Sequence, residues 1–150
     1  MRVTKRDGRL EELDYEKIHS MIDNCSDGLD VSVSDVAIGS HIKFVDKIPS
    51  EQIQATLIKT ASELADKHNP DYVILAGRLL ATDMRKRVYG SFEPMDFHDY
   101  VTTNMARGIY DKVLLDFYTE EEIHWFGEHI DYDNDMCRGV ASLTQLSTKY

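Results

Sequence analysis

The stretch "VTKRDGRLEELDYEKI", Val3 to Ile18, decides how the rest of the sequence is read. Counting Arg2 before it, the first seventeen residues carry ten charges, five of each sign. Asp7-Gly8 divides the stretch into two short strand-like runs. Asp-Gly between such runs is a strong hairpin signal, because glycine enters the left-handed turn conformation without steric penalty. The period then changes. Asp14 is a good N-cap, Tyr15, Ile18, Met21, Ile22 and Cys25 recur at helical spacing, and Gly28 follows as a stop. One use for the charges is a solvated hairpin whose cross-strand ion pairs are worth under ~1 kcal/mol each. The other is an anion site. Lys5 and Arg6 would neutralise phosphate oxygens, Glu11 would accept from a base or sugar, and the free N–H groups at the start of the first helix would add to it. Taken alone, the stretch favours the solvated hairpin.

The 150 residues suffice for one domain of ordinary size, at 42% hydrophobic and 29% charged. No apolar run approaches the roughly 18–20 residues of a membrane span, and the N-terminus lacks the apolar core of a signal peptide. A cytoplasmic protein is expected, with a virus-encoded one acting in the host cytoplasm as the alternative. Cys25 and Cys137 form no CxxC, which suits a reducing compartment and argues against structural zinc. The net charge of −10 is uneven: residues 1–90 carry 13 Lys/Arg against 15 Asp/Glu, and residues 91–150 carry 4 against 12. The acidic second half excludes a nucleic-acid polymer as partner, because phosphate neutralisation drives that binding. A single nucleotide needs only a few local cations, which the first half supplies.

Further along, "VSVSDVAIGSHIKFV" starts β-like and then fits a short helix capped by Ser34. "KIPSEQIQATLIKTASELADKHNP" reads as a helix capped by Ser50, apolar at Ile53, Leu57, Ile58, Ala61 and Leu64, and stopped by Asn69-Pro70. "DYVILAGRLLATDMRKRVYG" is apolar on most faces through Leu80, hence central in a bundle. It ends in Arg85-Lys86-Arg87, which suits the negative end of a helix dipole. "SFEP" marks a boundary, giving a domain over 1–92 and a helical segment over 93–150. In that segment Thr119 and Glu122 form a capping box, and "NDMCRGVASLTQLSTKY" reads as a last helix. The expected fold is mainly α: a helical bundle capped by a small β-hairpin or sheet, followed by further helices.

Several motifs are excluded. Asp131, Asp133 and Asp135 match the start of a calcium loop, but Met136 and Ser142 stand where glycine and glutamate are required. The six histidines include no HExxH, and His124 and His129 are five apart, off a shared helix face, so no metal site is expected. There is no Walker loop, and neither cysteine has a nucleophile's setting.

In order and spacing, "VTKRDGRLEELDYEKI", "IPSEQIQATLIKTA" and "PDYVILAGRLLATDMRKRVYGSFEP" resemble the ATP-cone of the large (alpha) subunit of class I ribonucleotide reductase. "GIYDKVLLDFYTEEEI" and "DMCRGVASLTQLSTKY" resemble the helices joining that cone to the catalytic barrel. The cone also occurs in a zinc-ribbon repressor, which would need paired CxxC motifs that are absent here. The resemblance implies a regulatory module for deoxyribonucleotide synthesis that binds ATP or dATP, with an accompanying Mg2+ and no metal site in the chain. Carried over by position, Lys5 and Arg6 serve the phosphates. Glu11, Glu12, Leu13, Asp14, Tyr15, Glu16 and Lys17 line the nucleotide, Ser50 sits near the triphosphate, and Lys86 reaches in as a clamp.

Gln54 departs from the pattern, standing where many dATP-inhibited members carry histidine. Glutamine hydrogen-bonds but cannot become cationic, so weakened dATP inhibition is expected. The sequence also reads as a truncated or split large subunit ending before the barrel. Cys25 and Cys137 match none of the family's catalytic cysteines, so the chain is expected to belong to an oxidoreductase without catalysing by itself. Implied partners are the remainder of the large subunit, met by Trp125, Phe126 and Leu146, the small radical-generating beta subunit, and further copies of the large subunit. The alternative is a helical interaction protein with a vestigial cone that binds no nucleotide.

Overall fold

The computed structural model describes residues 1–149. The chain opens with β1 (Arg2–Thr4), turns at Asp7-Gly8 and returns as β2 (Leu10–Glu12), antiparallel to β1 with Val3 opposite Glu11. Gly8 has φ +85°, the conformation the Asp-Gly reading requires. A third strand, β3 (Ile48–Pro49), lies parallel to β1 on its other side, giving the order β2-β1-β3. Periodicity could not display so short a strand, and the sequence reading absorbed it into the helix that follows. It is held by long-range bonds: Arg2 N–H donates to Asp46 Oδ1, Lys47 N–H donates to Arg2 O, and Thr4 Oγ1 donates to Lys47 O.

Four helices pack beneath this sheet: α1 (Tyr15–Ser26), α2 (Val33–His41), α3 (Ser50–Leu64) and α4 (Asp71–Tyr89). They are followed by α5 (Phe97–Ala106), α6 (Leu114–Phe117), α7 (Glu120–Glu128), a 3-10 stretch Tyr132–Cys137, and α8 (Val140–Lys149). The fold is thus mainly α with one small sheet among the described residues, as expected. Asp14 caps α1 by accepting from the Glu16 and Lys17 amides, and Thr119 and Glu122 form their capping box. Three boundaries differ from the sequence reading. Ser32 rather than Ser34 caps α2, so the β-like run starts a helix instead. The third helix ends at Leu64, where Asp66 Oδ1 accepts from the His68 and Asn69 amides and so stabilises a turn instead of another helical one. The last helix begins only at Val140, because Met136 lies in the 3-10 stretch.

The described residues divide into two units, one formed by Met1–Met84 with the segment from Asp135 onward, the other by Arg85–Asn134. The first unit's core joins Val3 and Ile48 of the sheet to Ile18 and Ile22 of α1, Val36 of α2, Ile53 and Leu57 of α3, and Leu75 and Leu79 of α4. Each such side chain contributes roughly 1.5–3 kcal/mol by leaving water. Arg78 closes the end of α1 by donating to the Cys25 and Asp27 carbonyls, and also donates to Met136 O. Val140 and Leu143 of α8 pack with Leu80, Ala81 and Met84 of α4. The second unit has a small core of Val101, Met105 and Ile123, flanked by Phe97, Tyr110 and Leu114.

Candidate functional site

The β1–β2 turn is closed by backbone bonds from Lys5 N–H to Arg9 O and from Gly8 N–H to Lys5 O. At its tip Asp7 accepts from both the backbone N–H and the side chain of Arg9. These bonds hold the Asp7 carboxyl below its usual range and raise the Arg9 guanidinium. Arg9 is therefore spent within the turn, while Lys5 and Arg6 leave it toward other elements. Lys5 Nζ is 3.3 Å from Glu11 Oε2. Arg6 Nε is 3.4 Å from Glu51 Oε1, and Arg6 Nη2 is 2.9 Å from Asp83 Oδ1, with only 29% of the Arg6 side chain exposed.

Glu51 belongs to the first turn of α3, so Arg6 brings the hairpin to that helix's N-terminus. The sequence reading makes Ser50 the cap of α3. In the structure Pro49 holds the cap position and Ser50 is the first helical residue. Proline's extended conformation, φ −62° and ψ 139°, closes β3 and provides no side-chain acceptor. The first amides of α3 thus lack a side-chain cap. Such amides, with the Ser50 hydroxyl and the nearby Arg6 guanidinium, are donors of the kind that an anionic oxygen cluster requires. The α1 terminus is different: Asp14 already occupies two of its amides, which removes it as the further anion contact the sequence suggested.

The model of the ATP cone domain matches residues 1–87. The chain belongs to the ATP-cone family. It is 44% identical over 149 residues to the ribonucleoside-diphosphate reductase 1 subunit alpha of Escherichia coli K12, covering 99% of this chain and 20% of that protein. The corresponding subunit of Haemophilus influenzae is 43% identical over the same shares, and that of Enterobacteria phage T4 is 30% identical over 148 residues. The chain therefore spans about a fifth of the length of these relatives. No helix among the described residues is long and apolar enough to cross a membrane.

Within the cone, the remaining residues singled out by sequence lie in distinct settings. Glu12 is exposed opposite Arg2, and Leu13 is partly buried against the core. Tyr15 packs edge-on against His41, with ring centroids 4.6 Å apart. Glu16 lends its amide to Asp14, and Lys17 adds an ammonium 3.5 Å from the same carboxylate. Gln54 is buried at 8% exposure and donates from Nε2 to Leu79 O at 2.8 Å, tying α3 to α4. Lys86 is in the second unit, its ammonium 4.3 Å from the Phe92 ring centroid. Sequence reasoning missed Glu51 and Asp83, the carboxylates that hold Arg6. Their only signal was a shortage of alternatives: a half-buried arginine needs anionic partners, and few acids lie on α3 and α4. Cys25 is buried beside Thr82, and burial pushes its thiol up, consistent with the expectation that it is no nucleophile.

Proposed function

We propose that this cone is an allosteric adenine-nucleotide module of a ribonucleoside-diphosphate reductase large subunit, taking ATP or dATP, with Mg2+ on the triphosphate. The observation that carries the reading is the approach of Arg6 to Glu51 at the uncapped N-terminus of α3, with Lys5 on the same hairpin, in a chain of this family. On this reading the triphosphate takes the hydroxyl of Ser50 and the α3 amides. It draws Lys5 from Glu11 and Arg6 from Glu51, while Glu11, Glu12, Leu13, Asp14, Tyr15, Glu16 and Lys17 border the nucleoside and Lys86 adds a further cation. The exchange of carboxylate for phosphate partners gives the module two sets of contacts, which regulation by population shift requires.

Gln54 acts through position: its amide fixes α3 against α4, and without an ionisable ring it gives dATP no extra charge to read. Weak dATP inhibition follows in the complete enzyme, and Gln54→His is the exchange expected to strengthen it. The rest of the large subunit, a radical-generating beta subunit and further large subunits are the proposed partners, and the cytoplasm the proposed compartment. The division into a cone over 1–92 and a connecting segment over 93–150 belongs to the same proposal.

Titration calorimetry of the chain with ATP, dATP and GTP tests the proposal. Adenine-selective binding that weakens in Lys5→Ala and Lys86→Ala supports it. A folded chain giving no heat with any of the three nucleotides favours instead a vestigial cone serving as an interaction module. The present pairing of Lys5 and Arg6 with carboxylates is the observation on that side.

A further inference from the structure

The second unit holds a cluster that the nucleotide reading leaves unused. His98 of α5 and Glu120 and His124 of α7 each offer a ligand atom, and these atoms lie within 4.8 Å of one another. The two residues on α7 are four apart, which puts them on one helix face about a turn from each other. His98 faces them from the packed neighbour helix, with Nε2 3.6 Å from Glu120 Oε1. Its other nitrogen, Nδ1, is 3.7 Å from Asp99 Oδ1. The His98 and His124 rings are stacked, centroids 4.4 Å apart.

We propose that His98, Glu120 and His124 bind a divalent transition-metal ion of the zinc type, which clamps α5 to α7. Two imidazoles and one carboxylate form a donor set that such ions accept, with water completing a tetrahedral shell. His98 is the anchor. Its side chain is only 20% exposed, and the Asp99 carboxylate stands 3.7 Å from the nitrogen that would not bind metal. Glu120 and His124 are exposed, so small side-chain rotations bring their donor atoms to bonding distance. A second grouping, Asp96, His98 and Asp99, shares the anchor but is the poorer site. Asp96 already accepts the Asp99 amide as the cap of α5, and one imidazole with two carboxylates suits this class of ion less well. Local histidine spacing did not reveal the site because its two imidazoles come from different helices, and His129, the nearer neighbour of His124 in sequence, bonds the Trp125 carbonyl instead.

The untagged chain, freed of metal by chelation, is titrated with Zn2+ against a competing chromophoric chelator, and with Co2+ while its visible spectrum is recorded. One equivalent of Zn2+ and an intense tetrahedral Co2+ band are expected. Affinity should fall about tenfold or more in His98→Ala and in His124→Gln, and less in Glu120→Gln. The exposed His124 keeps the test sound should His98→Ala fail to fold. His68→Ala and Asp99→Asn separate this site from scattered histidines and from the Asp96 grouping: the first should leave affinity unchanged and the second lower it only modestly. No stoichiometric binding, or binding that survives both His98→Ala and His124→Gln, would overturn the proposal and leave the cluster an ordinary group of ion pairs.

Discussion

Arg6 Nη2 stands 2.9 Å from Asp83 Oδ1 while its Nε faces Glu51 at 3.4 Å, so one hairpin cation holds both the start of α3 and the later part of α4. Sheet and bundle are joined by charge as well as by the packing of Val3 and Ile48. The same guanidinium is the planar donor that a phosphate would claim. Its present partners therefore compete with any nucleotide.

Asp83→Asn should reveal that competition. Removing one carboxylate costs at most about 1 kcal/mol for a partly exposed pair, and it leaves Arg6 readier for phosphate. Denaturant unfolding should show a small loss of stability, while calorimetry shows ATP bound more tightly than by the unaltered chain. Weaker ATP binding by a variant of normal stability would mean that Asp83 holds Arg6 in its binding position.

Gln54→Leu removes the hydrogen bond to the Leu79 carbonyl without opening a large cavity. A loss of about 1 kcal/mol is expected in urea unfolding, the net worth of a buried neutral hydrogen bond. Because the side chain is buried against α4, the effect on ATP affinity should be smaller than that of Arg6→Ala.

These two positions show what the sequence disclosed and what it withheld. Lys5, Arg6 and Gln54 could be named from motif and order. The Asp7-Gly8 turn, the Asp14 cap and the Thr119–Glu122 box were legible because each rests on contacts within a few residues. Glu51 and Asp83 were not, because their pairing with Arg6 spans 45 and 77 positions and depends on how α3 and α4 pack. β3 was hidden for the same reason: two residues become a strand only when β1 supplies the neighbour. Pro49 took the cap position from Ser50 because ending that strand fixed where α3 could begin.

Acid should unfold the chain in two stages. Burial, then the nearby His19, lowers the pKa of His41 from its ordinary 6.5, and its Nε2 is buried without a hydrogen-bond partner. The unfolded chain then takes up that proton first, so stability present above about pH 6.5 is lost as pH falls through this range. Hydrogen bonds from Lys17 to Asp14, from His68 and Asn69 to Asp66, and from Thr119 to Glu122 lower these carboxyls from 3.8, 3.8 and 4.5. Their contribution is complete above those values and disappears as pH falls below them. Tm against pH should decline gently and then steeply. His41→Phe should abolish the first decline, and Asp14→Asn should soften the second while keeping a cap.

Gly77→Ala should be among the most damaging single substitutions in the first unit. A Cβ at Gly77 would collide with the Arg138 carbonyl oxygen, a contact with backbone that no rotamer change relieves. Overpacking of this kind costs roughly 1–3 kcal/mol. The strain should appear as a lowered Tm with easier proteolysis at the start of α8. A variant as stable as the unaltered chain would show that α8 does not pack closely on α4.

Proton–nitrogen correlation spectra of the isotope-labelled chain, recorded during titration with ATP, test the nucleotide seat most directly. The Arg6 Nε–H and the Ser50 and Glu51 amides should shift together along one saturable curve, as phosphate replaces the Arg6–Glu51 contact and engages the α3 terminus. GTP should produce much smaller shifts. A folded chain whose Arg6, Ser50 and Glu51 signals stay still at saturating ATP, or one whose shifts are confined to residues 97–130, would contradict a nucleotide site at the hairpin and the head of α3.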